Sequence, residues 1–192
     1  MRRQHVRQRW SWRPPVAALA VTVLAGAALS ADGRINANGS SLVATFTQQR
    51  VPVEAPFKTF SGTIDYDAAH PEATSAKLRV DVGSLELGDA DASAELRKPA
   101  WFDYAQHPDA TFQSASVKRD PDGQLEVAGT LEIKGRALPV TVKVSVQSSG
   151  AARAFDGSFD ISRKAYGIGE ATWDSVLDDR VRLRFHLLAA GG

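Results

Sequence analysis

The chain has 192 residues, no cysteine and a formal net charge of +1. Without cysteine there is no disulfide, thiolate zinc site, iron–sulfur cluster or cysteine nucleophile, so a folded domain must draw its stability from its core alone. The charge is unevenly spread: Arg2, Arg3, Arg7, Arg9 and Arg13 precede the first acidic residue, and without them 18 basic residues face 22 acidic ones, a net of −4. That balance carries no electrostatic footprint for nucleic acid.

The first element is an address rather than structure. The arginine-rich start leads into an apolar run over 16–29, and Ala28-Leu29-Ser30 supplies small residues for cleavage after Ser30 or Ala31. This is the order of a secretory signal peptide, too short in its apolar part for a membrane-spanning helix. The expectation is a leader over 1–31 and one domain over 32–192, in the periplasm or secreted. About 160 residues bury roughly 70% of their unfolded surface, enough for a single core.

The remaining elements read as strands. Residues 41–48 and 57–66 make a candidate opening pair, with Phe46, Phe60, Ile64 and Tyr66 for the inner face. Residues 76–82 alternate small or apolar side chains with charge, the period of a strand with one wet and one dry face. Residues 91–102 break the rhythm and favour a short helix, ending near Lys98 because Pro99 follows, with Trp101 and Phe102 plugging the fold. Alternation resumes over 111–118, 125–133, 140–146, 155–161 and 181–187, and Pro121-Asp122-Gly123 and Lys134-Gly135-Arg136 are turn signals between neighbours. Short connections favour antiparallel pairing. About eight such strands form either a sandwich or a closed barrel, and pattern alone does not decide between them.

Polar constellations are sparse. His70, His107 and His186 have no second ligand at metal spacing; no metal or cofactor is expected. Ser61, Asp65, Asp67 and His70 lie close in sequence, yet no nucleophile motif frames a serine, and no catalytic residue is assigned. Tyr166-Gly167-Ile168-Gly169 lacks the lysine of a phosphate loop and reads as a tight turn. The informative group is the apolar face, which builds a core in any barrel. Gly62, Gly129 and Gly157 fall within strands, where glycine marks a bend or the close approach of another group, and this leaves a ligand cavity as open a reading as a filled core.

Several blocks, in this order, resemble the YceI-like family of exported, lipocalin-like barrels: residues 57–64; Trp101-Phe102-Asp103 followed by His107-Pro108-Asp109-Ala110-Thr111-Phe112; residues 125–135 with Leu138-Pro139-Val140; and residues 159–167 with Arg163. The stretch 166–173, ending in Trp173, resembles a subgroup with glycine and tryptophan there. The likeness runs from about residue 40 to 188. Ser40-Ser41 and Ala55-Pro56 depart from the family pattern at the rim.

The resemblance implies an all-β, eight-stranded antiparallel lipocalin-like barrel with a short helix between strands. It also implies a non-catalytic carrier of an isoprenoid lipid, either a polyisoprenoid or an isoprenoid quinone, held as ligand rather than cofactor. The expected lipid-binding residues are Phe60, Ile64, Leu78, Val80, Val82, Trp101, Phe102, Phe112, Val127, Leu131, Ile133, Val142, Val144, Phe159, Ile161, Leu183 and Phe185. Phe60, Trp101, Phe102 and Phe112 are the candidates to line or close the cavity. Transient contact with a membrane or membrane proteins, a monomer or homodimer, and no nucleic acid complete the expected partners. A different class would be an accessory protein of a membrane redox or stress-response system with a filled barrel. A lipid hydrolase or isomerase would need a polar cluster facing inward, which the alternation does not supply.

Overall fold

The computed structural model describes residues 33–149 and 152–190; the expected signal peptide lies outside them. Nine antiparallel strands form one curled sheet, a half-barrel, in the order β2-β1-β9-β8-β7-β6-β5-β4-β3. They are β1 (Ser41–Gln48), β2 (Val51–Phe57), β3 (Phe60–Asp65), β4 (Ser75–Asp81), β5 (Asp109–Arg119), β6 (Leu125–Ile133), β7 (Arg136–Ser149), β8 (Ala152–Ser162) and β9 (Leu177–Ala190). The all-β antiparallel architecture with a short helix is therefore as expected, with nine strands rather than eight.

The extra strand corrects the opening pair. β1 pairs with β2 and with β9, whereas β3 pairs with β4. β2 carries Pro52 and Pro56, which interrupt a strand pattern; it tolerates them because it is an edge strand, where a missing N–H breaks no ladder bond. The two-residue loop Gln49-Arg50 joins β1 to β2 with both residues at positive φ, 49° and 66°.

Neither edge is left bare. On the β2 side, Phe57 bridges Leu85, and Lys58 N–H donates to the Ser84 carbonyl at 3.2 Å. On the β3 side, a four-residue strap, 33–36, lies between β3 and β9. Ile64 N–H donates to the Gly33 carbonyl (2.7 Å), Ile35 N–H to that of Gly62 (2.9 Å) and Asn36 N–H to that of Leu188 (2.7 Å). Pairing exposed edges removes a template for aggregation.

The helix α1 (Ala90–Glu95) is shorter than expected: Asp89 caps it through Ala92 N–H at 2.8 Å, and it ends at Leu96. Tight turns carry the chain on to Asp103. They bury Trp101 and leave Phe102 half-buried against the core. Inward residues alternate along the strands; in β6, Leu125, Val127, Leu131 and Ile133 are buried while Thr130 and Glu132 are exposed. A smaller cluster of Ala44, Ala55 and Leu85, with Phe46, Phe57, Leu96 and Phe102 packed on it, sits under the β1–β2 hairpin.

Candidate functional site

The inner face of the sheet surrounds a cavity of about 350 Å³. Its walls come from every strand but also from α1 and the turns after it, and almost all lining side chains are apolar. Fifteen of the seventeen expected lipid-binding residues line it: Ile64, Leu78, Val80, Trp101, Phe102, Phe112, Val127, Leu131, Ile133, Val142, Val144, Phe159, Ile161, Leu183 and Phe185. Phe60 and Val82 do not. Both are buried in the adjoining core, and Val82 misses the cavity because β4 ends at Asp81, whose carboxylate accepts from Gly83 N–H (2.8 Å) and turns the chain into a 3-10 turn.

Two strand glycines set the cavity's shape. A Cβ at Gly129 would stand 2.7 Å from the Phe112 ring, and one at Gly157 would stand 2.5 Å from the Phe185 ring. Each glycine thus leaves the space that a neighbouring phenylalanine fills, the close approach that a glycine inside a strand signals.

One end of the cavity is built from long connections. Arg163, 2% exposed, lines the cavity, an expensive place for a charge unless it is bonded throughout. Its Nε donates to the Asp178 carbonyl (3.0 Å), Nη1 to that of Ile168 (3.0 Å), and Nη2 to the Asp174 carboxylate (2.7 Å) and the Leu177 carbonyl (3.0 Å). The guanidinium therefore folds the β8–β9 connection around itself. Lys164 and then Arg163 hold the Asp174 carboxyl below its ordinary range through hydrogen bonds. Gly167 and Gly169, at φ 68° and 78°, make the tight turn expected there.

That connection meets the turns after α1. Gly169 N–H donates to the Ala100 carbonyl (2.9 Å), and the rings of Trp101 and Trp173 stand 5.3 Å apart. Lys134, in the β6–β7 turn, donates to the carbonyls of Pro99 and Gly167, both at 2.7 Å; partial burial lowers its pKa. Gln48 and Trp173 both line the cavity and are exposed to solvent, and Glu95 of α1, also in the lining, is paired with Lys98. This end is the mouth.

The opposite end is plugged. The rings of Tyr66 and Phe155 meet edge to face at 5.6 Å, and the Arg153 guanidinium lies 5.1 Å from the Tyr66 ring centre. Arg119 donates to the Tyr66 hydroxyl at 3.3 Å. Thr74, at the start of β4, is buried and lines the cavity here; its hydroxyl has no hydrogen-bond partner.

Polar residues singled out in the sequence do not converge on the cavity. Ser61, Asp65, Asp67 and His70 are exposed and outside its lining. The Asp67 carboxylate instead accepts from the N–H groups of Ala69 and His70, which lowers its pKa. His70 pairs with exposed Glu72. His186 is half-buried, and its Nδ1 lies 2.6 Å from Asp156 on the neighbouring strand. Among the described residues, no three His, Cys, Asp or Glu side chains form a group that could hold a metal ion. No helix among them is long and apolar enough to cross a membrane.

Sequence reasoning missed several lining residues: Leu42 and Ala44 of β1, Phe155 of β8, Leu177 of β9, and Ile168 and Trp173 of the connection. The β1 pair was readable from its alternation with Phe46. Nothing local signals that Arg163 turns inward, since its carbonyl partners come from a turn 5–15 residues further on.

A YceI-like domain matches residues 34–189. Protein YceI of Escherichia coli O157:H7 is 31% identical over 129 residues, 66% of this chain and 67% of that protein. In structure the chain is similar to BcnA of Burkholderia cenocepacia (TM-score 0.78, 36% identity, 81% of this chain and 99% of that one). It also shares its fold with a polyisoprenoid binding domain from Saccharophagus degradans implicated in plant cell wall breakdown (TM-score 0.67, 19% identity, 84% of this chain and 99% of that one). With the match running from the strap to the end of β9, the chain belongs to the YceI-like family.

Proposed function

We propose that this protein is an exported, non-catalytic carrier that holds an isoprenoid lipid, a polyisoprenoid or an isoprenoid quinone, inside its barrel in the periplasm or outside the cell. The observation that carries the reading is the lining: apart from Gln48, Thr74, Glu95 and Arg163, with Lys77 alternating outward on β4, every wall residue is apolar. A polyisoprenoid binding domain with the same fold supports the choice of ligand.

The energetics suit carriage. Each CH₂ removed from water contributes about 0.8 kcal/mol, so a long tail strongly prefers the barrel to solvent. A bilayer offers the tail comparable burial, so exchange between the two is near neutral in free energy. Apolar contact is non-directional, and recognition of the tail depends on length and shape.

Organic extraction of the purified protein followed by mass spectrometry tests this. A stoichiometric isoprenoid is expected, and Trp101→Ala and Phe102→Ala should retain less of it with a smaller effect on thermal unfolding than on lipid content. Wild-type protein free of lipid, or mutants with undiminished lipid, would overturn the reading and favour a filled accessory barrel.

A further inference from the structure

We infer that the mouth of the barrel is also a docking surface for a phospholipid bilayer, contacted through Val51, Arg50 and Trp173; this rests on the carrier reading. Val51 and Trp173, 60% and 36% exposed, are the exposed large apolar side chains among the described residues. They come from two turns that are bonded to each other, through Gln49 N–H and the Val176 carbonyl at 2.7 Å. Val51 pairs with Gln48, and Gln48 pairs with Leu177. Residues directly opposite one another in an antiparallel pair share a face, so Val51 extends beyond the barrel the same face that Leu42, Ala44, Phe46 and Gln48 present to the cavity. The apolar lining thus continues out through the mouth onto the surface.

The hairpin tip adds charge and strain. Gln49 and Arg50 both occupy the left-handed region, where a two-residue hairpin loop favours Asn-Gly and other side chains cost energy. Strain held at an exposed tip points to a use for the residues that bear it. Arg50 is exposed and forms no ion pair or side-chain hydrogen bond with another described residue, which leaves its guanidinium available to a lipid phosphate.

The size of the patch selects the partner. One valine and one half-exposed tryptophan fall far below the area a stable protein interface buries. They are enough for shallow insertion into the headgroup zone, where tryptophan is favoured and arginine reaches the phosphates. The nearby acids Glu95 and Asp174 are already paired, with Lys98 and with Arg163 and Lys164. Exposed Glu170 keeps the attraction modest, and weak docking allows release after transfer.

The cysteine-free chain permits a clean test. Val51→Cys and, at the plugged end, Asp122→Cys are each labelled with an environment-sensitive nitrobenzoxadiazole dye and mixed with phosphatidylcholine vesicles containing a minority of phosphatidylglycerol. The dye at 51 should brighten, shift to the blue and be quenched by lipid-borne spin labels, while that at 122 stays unchanged. Arg50→Glu should weaken vesicle partition by about fivefold or more without altering the lipid that the purified protein retains. A silent dye at 51, or an equal response at both positions, overturns docking. Lipid content measured on the same preparations separates the two readings. Retained lipid with a silent dye at 51 leaves the carrier reading standing and removes the docking surface. A responding dye on protein that never retains lipid upholds the surface and removes the carrier.

Discussion

The two ends of this barrel are made by different means. At the plugged end the strands are joined by compact connections such as 120–124, where Asp120 accepts from the N–H groups of Asp122 and Gln124, and the hole is filled by the Tyr66–Phe155 contact with Arg153 over it. At the mouth, two longer connections, 82–108 and 163–176, meet across the opening through Trp101 and Trp173. There, hydrogen-bonded polar groups join the aromatic contact: buried Arg163 and half-buried Lys134 together bind carbonyls from both connections. The contrast teaches that an opening in an apolar barrel needs its own scaffold. Hydrophobic packing closes a hole, whereas hydrogen bonds to backbone carbonyls hold loops apart in a fixed outline.

The comparison is broken most directly at Arg163. Arg163→Met nearly keeps the volume but takes the donor from the carbonyls of Ile168, Leu177 and Asp178, while Asp174 keeps Lys164. Each carbonyl left without its donor costs about 1 kcal/mol or more, so the midpoint of thermal unfolding should fall by about 6 °C or more. A shift of only a degree or two in circular dichroism melts would mean that the mouth is held by something else.

Acid should loosen the same end. The Asp174 carboxyl titrates lower in the fold than its ordinary value of 3.8. Its stabilisation is therefore complete above that value and is lost as pH falls through the lower folded one. Melts recorded from pH 7 down to pH 2.5 should show a steeper acid-side loss for wild type than for Asp174→Asn. Parallel curves would show that this carboxylate contributes nothing.

The plugged end offers the smallest effect, and with the opposite sign. Thr74→Val removes a buried hydroxyl without a partner in a side chain of the same shape, and should raise stability by about 1 kcal/mol, seen as a slightly higher melting midpoint. A drop would show that the hydroxyl has a partner in solution, and that this end is less dry than its packing indicates.

These ends also differ in how far the sequence revealed them. The strand faces were readable, because period-2 alternation is a local signal: Leu125, Val127, Leu131 and Ile133 point inward as their spacing requires. Trp101 was placed correctly because a bulky aromatic after a proline-limited helix has few alternatives to the core. β2 is hard to read locally because Pro52 and Pro56 interrupt a strand pattern, and only the position of the strand at a sheet edge makes them harmless. Without β2, residues 41–48 and 57–66 read as partners, although β1 pairs with β2 and β3 with β4. The polar skeleton of the mouth is hidden for a different reason: apart from the Asp174 carboxylate, the acceptors of Arg163 and Lys134 are main-chain carbonyls, and carbonyls carry no residue identity.

The strap at 33–36 sets a limit of another kind. Around most of the wall, adjacent strands are laced by continuous ladders, such as the eleven residue pairs between β8 and β9; where the two sheet edges are closed, isolated backbone bonds take over, those of the strap to β3 and β9 and those at the end of β2 to Ser84 and Glu86. A wall closed there by so few bonds should part at those edges before any ladder does. Amide exchange should therefore run faster along those closures than in the laced arc between β8 and β9.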